Sequence, residues 1–455
     1  MSTRIAFHTL GCKANQYDTE VMKESIVSKN GYRVVPFGEE ADISVINTCS
    51  VTTGADRKSR KHIRKAVRKG GLVLVTGCYV PLNIDEIEDI EGVDLVFPNS
   101  YKYEFPRVLK WAKRGVKGEV SGRKEINWDL DTRSISRDRN HTRAFLKIQD
   151  GCSNNCSFCK VRYLRGPTRS KSPDEVVEEA RELGSNGFEE IVLTGVNVAE
   201  YGEGTKLADL LGKLSGVEYI SRIRLSSINP SGITGDLVKR FVNSEKTCSH
   251  FHVPLQSGSD RVLDSMNRNY DLRDYLDSIN LIQKEVSKPT FGTDLMVGFP
   301  GEDEADFQKT KEMVSRVGFI NTHVFRYTPR EETPASEYEG EIHSKRKKER
   351  AKELRKLASR TSQTQRRKFE GEELEMVIEE RSPALEGWRG YSRNYLDLHI
   401  PEKELTDAYN RGDALTVKLK KAKEDHNVAE LFKKARVEGD KTPVDTGKIV
   451  GKSND

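Results

Sequence analysis

Three cysteines fall within eight consecutive positions in the run Asp150-Gly151-Cys152-Ser153-Asn154-Asn155-Cys156-Ser157-Phe158-Cys159. A loop holding three thiols this close together must wrap around something that thiolates ligate, and its two ends must be fixed by the surrounding fold. An iron–sulfur cube normally takes four cysteines. Three leave one iron open, and an open metal position is where chemistry happens rather than scaffolding. A zinc knuckle would need a fourth ligand at suitable spacing, commonly a second Cys or His pair. The next histidine downstream is His250, and no paired motif accompanies it. The preceding segment Phe145-Leu146-Lys147-Ile148 is strand-like. It places the loop at the carboxyl end of a strand, the active face of α/β barrels.

Three further cysteines follow strand-like segments. Cys12 lies in Thr9-Leu10-Gly11-Cys12-Lys13-Ala14-Asn15, Cys49 in Asn47-Thr48-Cys49-Ser50-Val51-Thr52 and Cys78 in Thr76-Gly77-Cys78-Tyr79. In open α/β sheets, ligands bind beyond the carboxyl ends of the strands, so these three distant residues can converge on one edge. Helix amino termini after Cys12 and Cys49 would help to stabilise thiolates there. A core cysteine is a common alternative, but it has no reason to occupy the post-strand loop in all three cases. The seventh cysteine, Cys248, precedes a strand and reads as a buried small side chain.

The strand and helix signals divide the 455 residues. Residues 1–116 alternate between strands at Ile5–Leu10, Asp42–Asn47, Leu72–Thr76 and Val93–Phe97 and helices at Tyr17–Lys29 and about Ala55–Lys69. This is the pattern of an open parallel sheet with crossover helices. Residues 117–142 lose periodicity and read as a linker. A second alternation over 143–345 has strands at Ala144–Ile148, Glu190–Leu193, Ile220–Leu225, His250–Leu255, Phe291–Val297 and Asn321–Tyr327. Helices lie between them, for example at Ser172–Gly184 and Asp271–Glu285. Six such units predict a partial (β/α)6 barrel. A basic helix over 346–370 leads to a module at 371–436 that reads as a small β-barrel. Its strands are Leu374–Glu379, Tyr395–Ile400 and Leu415–Lys420, and helix signal returns only at Ala429. Residues 437–455 form a polar tail. The expected class is α/β with this small barrel appended.

Net charge is only +5 with 32% charged residues, so a polyanionic partner must be argued from local patches. The amino terminus shows no signal or transit peptide, and no apolar run reaches membrane-spanning length. A cytoplasmic protein without membrane association is expected. In that compartment thiols stay reduced and serve metals or catalysis.

These motifs carry a resemblance. The Cys152/Cys156/Cys159 spacing is similar to that of the radical S-adenosylmethionine superfamily, and the chain from Thr9 to about Ile400 resembles its methylthiotransferases. The similarity is closest to the bacterial-type tRNA N6-threonylcarbamoyladenosine methylthiotransferases. It is carried by the three cysteine segments above, by Ala55-Asp56-Arg57-Lys58-Ser59-Arg60 and by Ile191-Val192-Leu193-Thr194-Gly195-Val196. Arg224-Leu225-Ser226-Ser227-Ile228-Asn229-Pro230, His252-Val253-Pro254-Leu255-Gln256-Ser257-Gly258-Ser259-Asp260, Val297-Gly298-Phe299-Pro300-Gly301-Glu302 and Phe325-Arg326-Tyr327-Thr328-Pro329-Arg330 add to it.

The resemblance implies two 4Fe–4S clusters, an auxiliary one on Cys12, Cys49 and Cys78 and a second on Cys152, Cys156 and Cys159 that binds S-adenosyl-L-methionine. It also implies a carboxyl-terminal RNA-binding barrel of TRAM type, whose signature is resembled by Gly387-Trp388-Arg389-Gly390-Tyr391-Ser392-Arg393-Asn394-Tyr395. The implied reaction is methylthiolation of carbon 2 of N6-threonylcarbamoyladenosine at position 37 of tRNA. An electron donor of flavodoxin or ferredoxin type and a sulfur source would serve it. In the implied mechanism a second S-adenosylmethionine methylates a sulfur held at the auxiliary cluster. Phe158 would pack on the cofactor's adenine. Thr194, Gly195, Asn197, Ser226, Ser227, Gln256 and Ser257, all at strand ends, are candidate cofactor contacts. The histidines His250, His252 and His323 read as hydrogen-bonded strand residues. Lys160, Arg162 and Pro81 depart from the family pattern.

Two basic stretches suit a phosphate backbone. One is the helix from Asp56 to Lys69, with Arg57, Lys58, Arg60, Lys61 and Arg64 outward and Ile63, Ala66 and Val67 inward. The other is Lys345–Lys368. The aromatic–basic mix of Trp388, Arg389, Tyr391, Arg393 and Tyr395 suits stacking on unpaired bases. Two alternatives share the chemistry but change the substrate, to isopentenyladenosine in tRNA or an aspartate of a ribosomal protein. A third, of another class, is a non-catalytic iron–sulfur RNA-binding sensor.

Overall fold

All strands of the first sheet are parallel. They are β1 (Thr3–Thr9), β2 (Tyr32–Val35), β3 (Ile43–Thr48), β4 (Leu72–Gly77), β5 (Leu95–Val96) and β6 (Gly118–Glu119), in the order β2-β1-β3-β4-β5-β6. Helices α1 (Lys13–Val27), α2 (Thr53–Val67), α3 (Ile84–Glu88) and α4 (Phe105–Lys113) cross between them. β3 is buried at every position, as a central strand covered on both faces must be. The edge strands β2 and β6 escape the sequence pattern because they are short and half-exposed. β6 takes up the start of the predicted linker. The structure is a computed structural model that describes residues 2–27, 29, 31–120, 134–136, 142–202, 206–405 and 409–433. Most of the predicted linker and the whole polar tail lie outside the described residues.

The central region has six main parallel strands in two runs. β7 (Ala144–Lys147), β10 (Glu190–Thr194) and β11 (Arg222–Leu225) pair in the order β11-β10-β7, and β12 (His250–His252), β13 (Thr290–Val297) and β14 (Asn321–Arg326) pair in that order. The runs meet where the Cys248 amide donates to the Ile223 carbonyl at 2.9 Å. A small hairpin, β8 (Gln149–Asp150) with β9 (Arg169–Ser170), holds the two ends of the three-cysteine loop together. Around the strands lie α5 (Val161–Arg165), α6 (Pro173–Ser185), α7 (Leu207–Ser215), α8 (Gly235–Val242), α9 (Asp260–Ser265), α10 (Leu272–Glu285) and α11 (Glu304–Val317). β12 is three residues shorter than predicted, ending before Pro254, which has no amide to give to a ladder.

Alternation sorts the strand residues. Ala144, Leu146, Ile191, Leu193, Ile223, Leu225, Phe251, Phe291 and Leu295 pack into the main core beneath the helices. Their neighbours Phe145, Lys147, Glu190, Val192, Thr194, Arg222, Arg224, His252, Asp294 and His323 point the other way, into the lumen, and are matched in register across the strands. A lumen lined with charge is a site rather than a core.

α12 (Ser344–Arg367) packs against β14 and α11 and leads into a closed five-stranded barrel. Its strands are β15 (Glu373–Ser382), β16 (Gly387–Ser392), β17 (Asp397–Pro401), β18 (Ala414–Ala422) and β19 (Asn427–Lys433), in the order β15-β16-β17-β19-β18. β19 corrects the helix expected from Ala429. Closing the barrel requires a last strand between β17 and β18, and that pairing overrides local helix propensity. No helix among the described residues is long and apolar enough to cross a membrane.

Candidate active site

Each cysteine of the first trio stands at the carboxyl end of a strand: Cys12 after β1, Cys49 after β3 and Cys78 after β4. The loops converge tightly. A Cβ on Gly11, which has φ +104°, would lie 3.0 Å from the Cys49 sulfur, so only glycine lets the Cys12 loop approach this closely. Ser59 on α2 grips the Cys49 backbone, accepting from its amide at 3.2 Å and donating to its carbonyl at 2.9 Å. Asn15 on α1 ties the Cys12 and Cys49 loops by donating to the carbonyls of Leu10 and Thr48, both at 2.8 Å.

Behind this trio lies a buried ionic network that sequence reasoning missed. Asp18 on α1 pairs with Lys102 at 3.1 Å, Lys147 at 2.5 Å and Arg165 at 3.1 Å, and Arg165 also pairs with Asp150 at 2.8 Å. Arg165 donates to Asn15 Oδ1 at 2.5 Å. These cations hold the Asp18 and Asp150 carboxyls far below the usual range. Four cations, with Arg169 pairing to Asp150 at 3.5 Å, face two carboxylates, and the surplus charge acts on the thiols: Arg165 on Cys78 and Cys12, and Lys102 on Cys78. A net positive wall around three converging thiols fits an anionic thiolate-bound cluster. The network also spans the two cysteine regions, because Asp150 sits two residues before Cys152 and Arg165 six after Cys159. No residue of the network has a local motif; only the fold brings them together.

A second lock joins the same regions. Arg330, beyond β14, pairs with Asp56 and donates to Ser50 at 2.8 Å (carbonyl) and 2.9 Å (hydroxyl), one residue past Cys49. Lys160 lies beside this lock, its ammonium held below the usual range mainly by burial and then by Arg330. Arg162 donates to Asn155 within the loop. Two of the three departures from the family pattern, Lys160 and Arg162, thus face the junction between the domains and the cysteine loop itself.

The loop of Cys152, Cys156 and Cys159 turns at Gly151 (φ +71°), where a Cβ would overlap the Pro167 carbonyl oxygen at 1.9 Å. Burial pushes the Cys152 thiol up to about 11 and Cys159 up to about 12, and likewise Cys49 to about 11. Metal ligation must displace these protons. Arg268 places Nη1 3.0 Å from the Cys156 sulfur, where it offsets thiolate charge. Glu200 accepts the Ser153 amide at 3.0 Å and lies 3.8 Å from the Cys152 sulfur. Neither Arg268 nor Glu200 was anticipated, since each sits in an unremarkable polar loop.

The predicted cofactor contacts separate into two groups. Thr194 and Ser226 carry buried hydroxyls with no hydrogen-bond partner among the described residues, as a missing ligand would leave them. Asn197 donates its backbone amide to Gln149 Oε1 at 2.9 Å and its side-chain amide to Glu200 at 2.9 Å. Gly195 lets Gln149 approach, since a Cβ there would meet Gln149 Oε1 at 2.6 Å. Phe158 is half-buried against Phe299 and Met296. Ser227 and the Gln256 side chain are partly exposed at the strand ends. Ser257 differs: it is fully buried and accepts the Ser259 amide at 3.3 Å, which shapes the turn. His252 and His323 stand 3.3 and 3.1 Å from Asp294 Oδ1 on the lumen wall and hold that carboxyl below its usual range.

The expected RNA contacts also divide. On α2, Arg57, Lys58, Lys61 and Arg64 are exposed while Ile63 and Ala66 are buried. Arg60 is instead tied down, donating to the Tyr79 hydroxyl at 2.7 Å and pairing with Glu86 at 3.1 Å. On α12, Lys347, Arg350 and Arg366 are buried. The barrel's aromatic–basic segment makes many contacts within the chain. Tyr391 and Tyr395 stack on each other at 4.9 Å, and Tyr395 stacks on His250 at 4.8 Å. Arg393 pairs with Glu375 at 3.0 Å and donates to the Glu245 carbonyl at 2.8 Å and the Ser221 carbonyl at 3.1 Å. Trp388 packs against the barrel core. The segment docks the barrel onto the amino ends of the central strands, because those strands leave arginines and an open floor there: Arg222 and Arg224 donate to the carbonyls of Tyr391, Ser392 and Arg393.

The family described as the radical SAM superfamily matches residues 146–314, and the uncharacterized protein family UPF0004 matches residues 4–98. The threonylcarbamoyladenosine tRNA methylthiotransferase MtaB of Aquifex aeolicus is 38% identical over 87% of this chain and 96% of its own length. The protein of that name from Bacillus subtilis is 37% identical over 87% of this chain and 89% of its own. The tRNA-2-methylthio-N(6)-dimethylallyladenosine synthase of Acetivibrio thermocellus is 33% identical over 82% of this chain and 80% of its own. Among solved structures, the radical S-adenosylmethionine methyltransferase TsrM of Kitasatospora setae shares the fold, with a TM-score of 0.56 at 13% identity over 74% of this chain and 77% of that one. The paired cysteine trios and the similarity along nearly the whole length of these relatives place the chain in the radical S-adenosylmethionine tRNA methylthiotransferase family.

Proposed function

We propose that the protein is a tRNA methylthiotransferase that installs a methylthio group on carbon 2 of N6-threonylcarbamoyladenosine at position 37 of tRNA, using S-adenosyl-L-methionine and two 4Fe–4S clusters. The observation that carries this reading is a pair of three-cysteine sites in one chain, their regions joined by the Asp18–Arg165–Asp150 network. Three thiols at each site leave room for a non-protein ligand at each cluster.

Cys152, Cys156 and Cys159 would hold the cluster that binds the cofactor, and Cys12, Cys49 and Cys78 the auxiliary one. Bound there, the clusters supply one-electron reduction of the sulfonium and a sulfur-delivering surface. The chain's own residues do the positioning. Glu200 is placed to accept a cationic amino group beside Cys152. Thr194 and Ser226 offer unsatisfied hydroxyls, and Phe158 an aromatic face. The docked barrel closes the lumen floor, which keeps water from a reactive site.

The exposed cations of α2 follow the Cys49 loop, so phosphates bound there would run beside the auxiliary site. The five-stranded barrel at about 371–436 fits a TRAM-type RNA-binding module. Its docking face is occupied, which leaves its outer surface for RNA. Residues 1–116, 143–345 and 346–370 serve as the auxiliary-cluster domain, the radical domain and a connecting helix. The enzyme works in the cytoplasm, where a flavodoxin or ferredoxin and a sulfur source are available to it.

Nucleoside mass spectrometry of tRNA from cells lacking the protein tests the reading. Loss of the methylthio form of threonylcarbamoyladenosine supports it, and an unchanged level overturns it. Anaerobic incubation with S-adenosylmethionine and a reductant separates the enzyme from an iron–sulfur sensor, because a sensor releases no 5′-deoxyadenosine.

A further inference from the structure

Lys13 follows Cys12 directly and reaches into the lumen, its Nζ 6.0 Å from the centre of the Phe145 ring. Its electrostatic neighbours are Tyr395, Arg143, Arg224 and Glu190. The lumen floor already consumes its acids. Glu190 pairs with Arg222 and Arg224, both at 2.7 Å. Glu379 pairs with Arg143 at 2.5 Å, and Glu375 with Arg222 and Arg393, both at 3.0 Å. Lys13 forms no hydrogen bond or ion pair among the described residues. A half-buried ammonium without a counterion is costly in a protein, and it is stabilised when an anion arrives.

We propose that Lys13 forms a carboxylate-binding subsite that receives the threonyl carboxylate of the substrate and so selects an acid-bearing N6 substituent over an apolar one. The inference rests on the substrate reading above. In adenine, carbon 2 and the exocyclic nitrogen flank the same ring edge on either side of N1. A base that offers carbon 2 to the site beside Cys12 therefore runs its N6 arm along the wall where Lys13 stands. The arm would end on Lys13 and on the cationic floor of Arg143 and Arg224. An isoprenoid arm would leave the ammonium without a counterion and bring nothing to offset its desolvation. Discrimination by an unpaired buried polar group is stronger than discrimination by shape.

The test uses the reconstituted holoenzyme and a tRNA carrying N6-threonylcarbamoyladenosine, compared with the same tRNA whose threonyl carboxylate is a methyl ester. The wild type is expected to prefer the free acid at least tenfold in kcat/KM. Lys13→Ala is expected to remove that preference and Lys13→Arg to restore part of it, with iron content equal in all three. Equal rates on acid and ester by the wild type overturn the subsite without any variant being needed. A Lys13→Ala enzyme that holds full iron and still prefers the acid also overturns it. A wild type that ignores the threonylcarbamoyl tRNA and modifies a dimethylallyladenosine tRNA overturns both readings together, whereas indifference to esterification overturns only this one.

Discussion

Cys152, Cys156 and Cys159 share one loop, whereas Cys12, Cys49 and Cys78 are gathered from the ends of three strands. The first trio is held by chain connectivity and a two-stranded clasp, β8 with β9. The second exists only while the sheet is folded, and it is backed by buried ion pairs rather than by sequence neighbours. Breaking a buried pair leaves an uncompensated charge, so the second site should be coupled to global stability more strongly than the first.

The largest effect should separate the two sites by metal content. Cys156→Ala and Cys49→Ala should each lower reconstituted iron from about eight to about four per chain and reduce methylthiolation to background. Iron and sulfide quantification reads this. If Cys49→Ala also strips the loop trio, the two sites are not independent.

Arg165→Ala comes next. It leaves Asp150 and Asp18 short of a partner and should cost roughly 3–5 kcal/mol of stability together with loss of auxiliary iron. Arg268→Ala, at the Cys156 sulfur, should leave chemical denaturation nearly unchanged. Equal destabilisation by the two substitutions would erase the proposed contrast.

The α2 cations give a smaller and graded effect. Engagement of about six phosphates implies a slope near −4 for log affinity against log salt. Replacing Arg57, Lys58, Lys61 and Arg64 with alanine should flatten the slope by up to about 3, while Arg60→Ala should act through stability instead, because its guanidinium is tied to Tyr79 and Glu86. Fluorescence anisotropy across a salt series measures both.

The smallest effect concerns pH in the amino-terminal domain. His8 stacks on His62 at 4.0 Å and on Phe37 at 4.5 Å, and burial pushes its imidazole down to about 4. The fold therefore favours neutral His8. That contribution is fully present above about 6.5, its unfolded value, and is lost as pH falls from there towards 4. Melting temperature should decline across that window, and His8→Phe should flatten the decline.

How much of this was legible in sequence follows the same contrast. The loop trio could be read from spacing alone, and the strand-end trio from the rule that post-strand loops collect ligands. Strands β7, β10 and β13 could be placed from their strand signals, but which residues they turn to the core and which to the lumen was hidden. Glu190, Arg222 and Lys147 look like ordinary surface charges until the strands curve around them. Arg165, Asp18 and Lys102 are far apart in sequence, and no periodicity links them. The docking role of the segment from Trp388 to Tyr395 was hidden for a related reason: residues that suit base stacking also suit a docking interface, and composition does not tell the two apart. The edge strands β2 and β6 were missed and the barrel strand β19 was misread as helix, because pairing, not local propensity, decides them.

The stacked pair Tyr391 and Tyr395 makes the central cavity a blind alley. With its floor covered by another domain among the described residues, the route for a nucleotide is through the mouth shared with the cysteine sites, so turnover is tied to lifting the whole tRNA away. Trimming off the last module would not yield a smaller enzyme with a weaker grip. It would pull the stopper and let bulk solvent in from below.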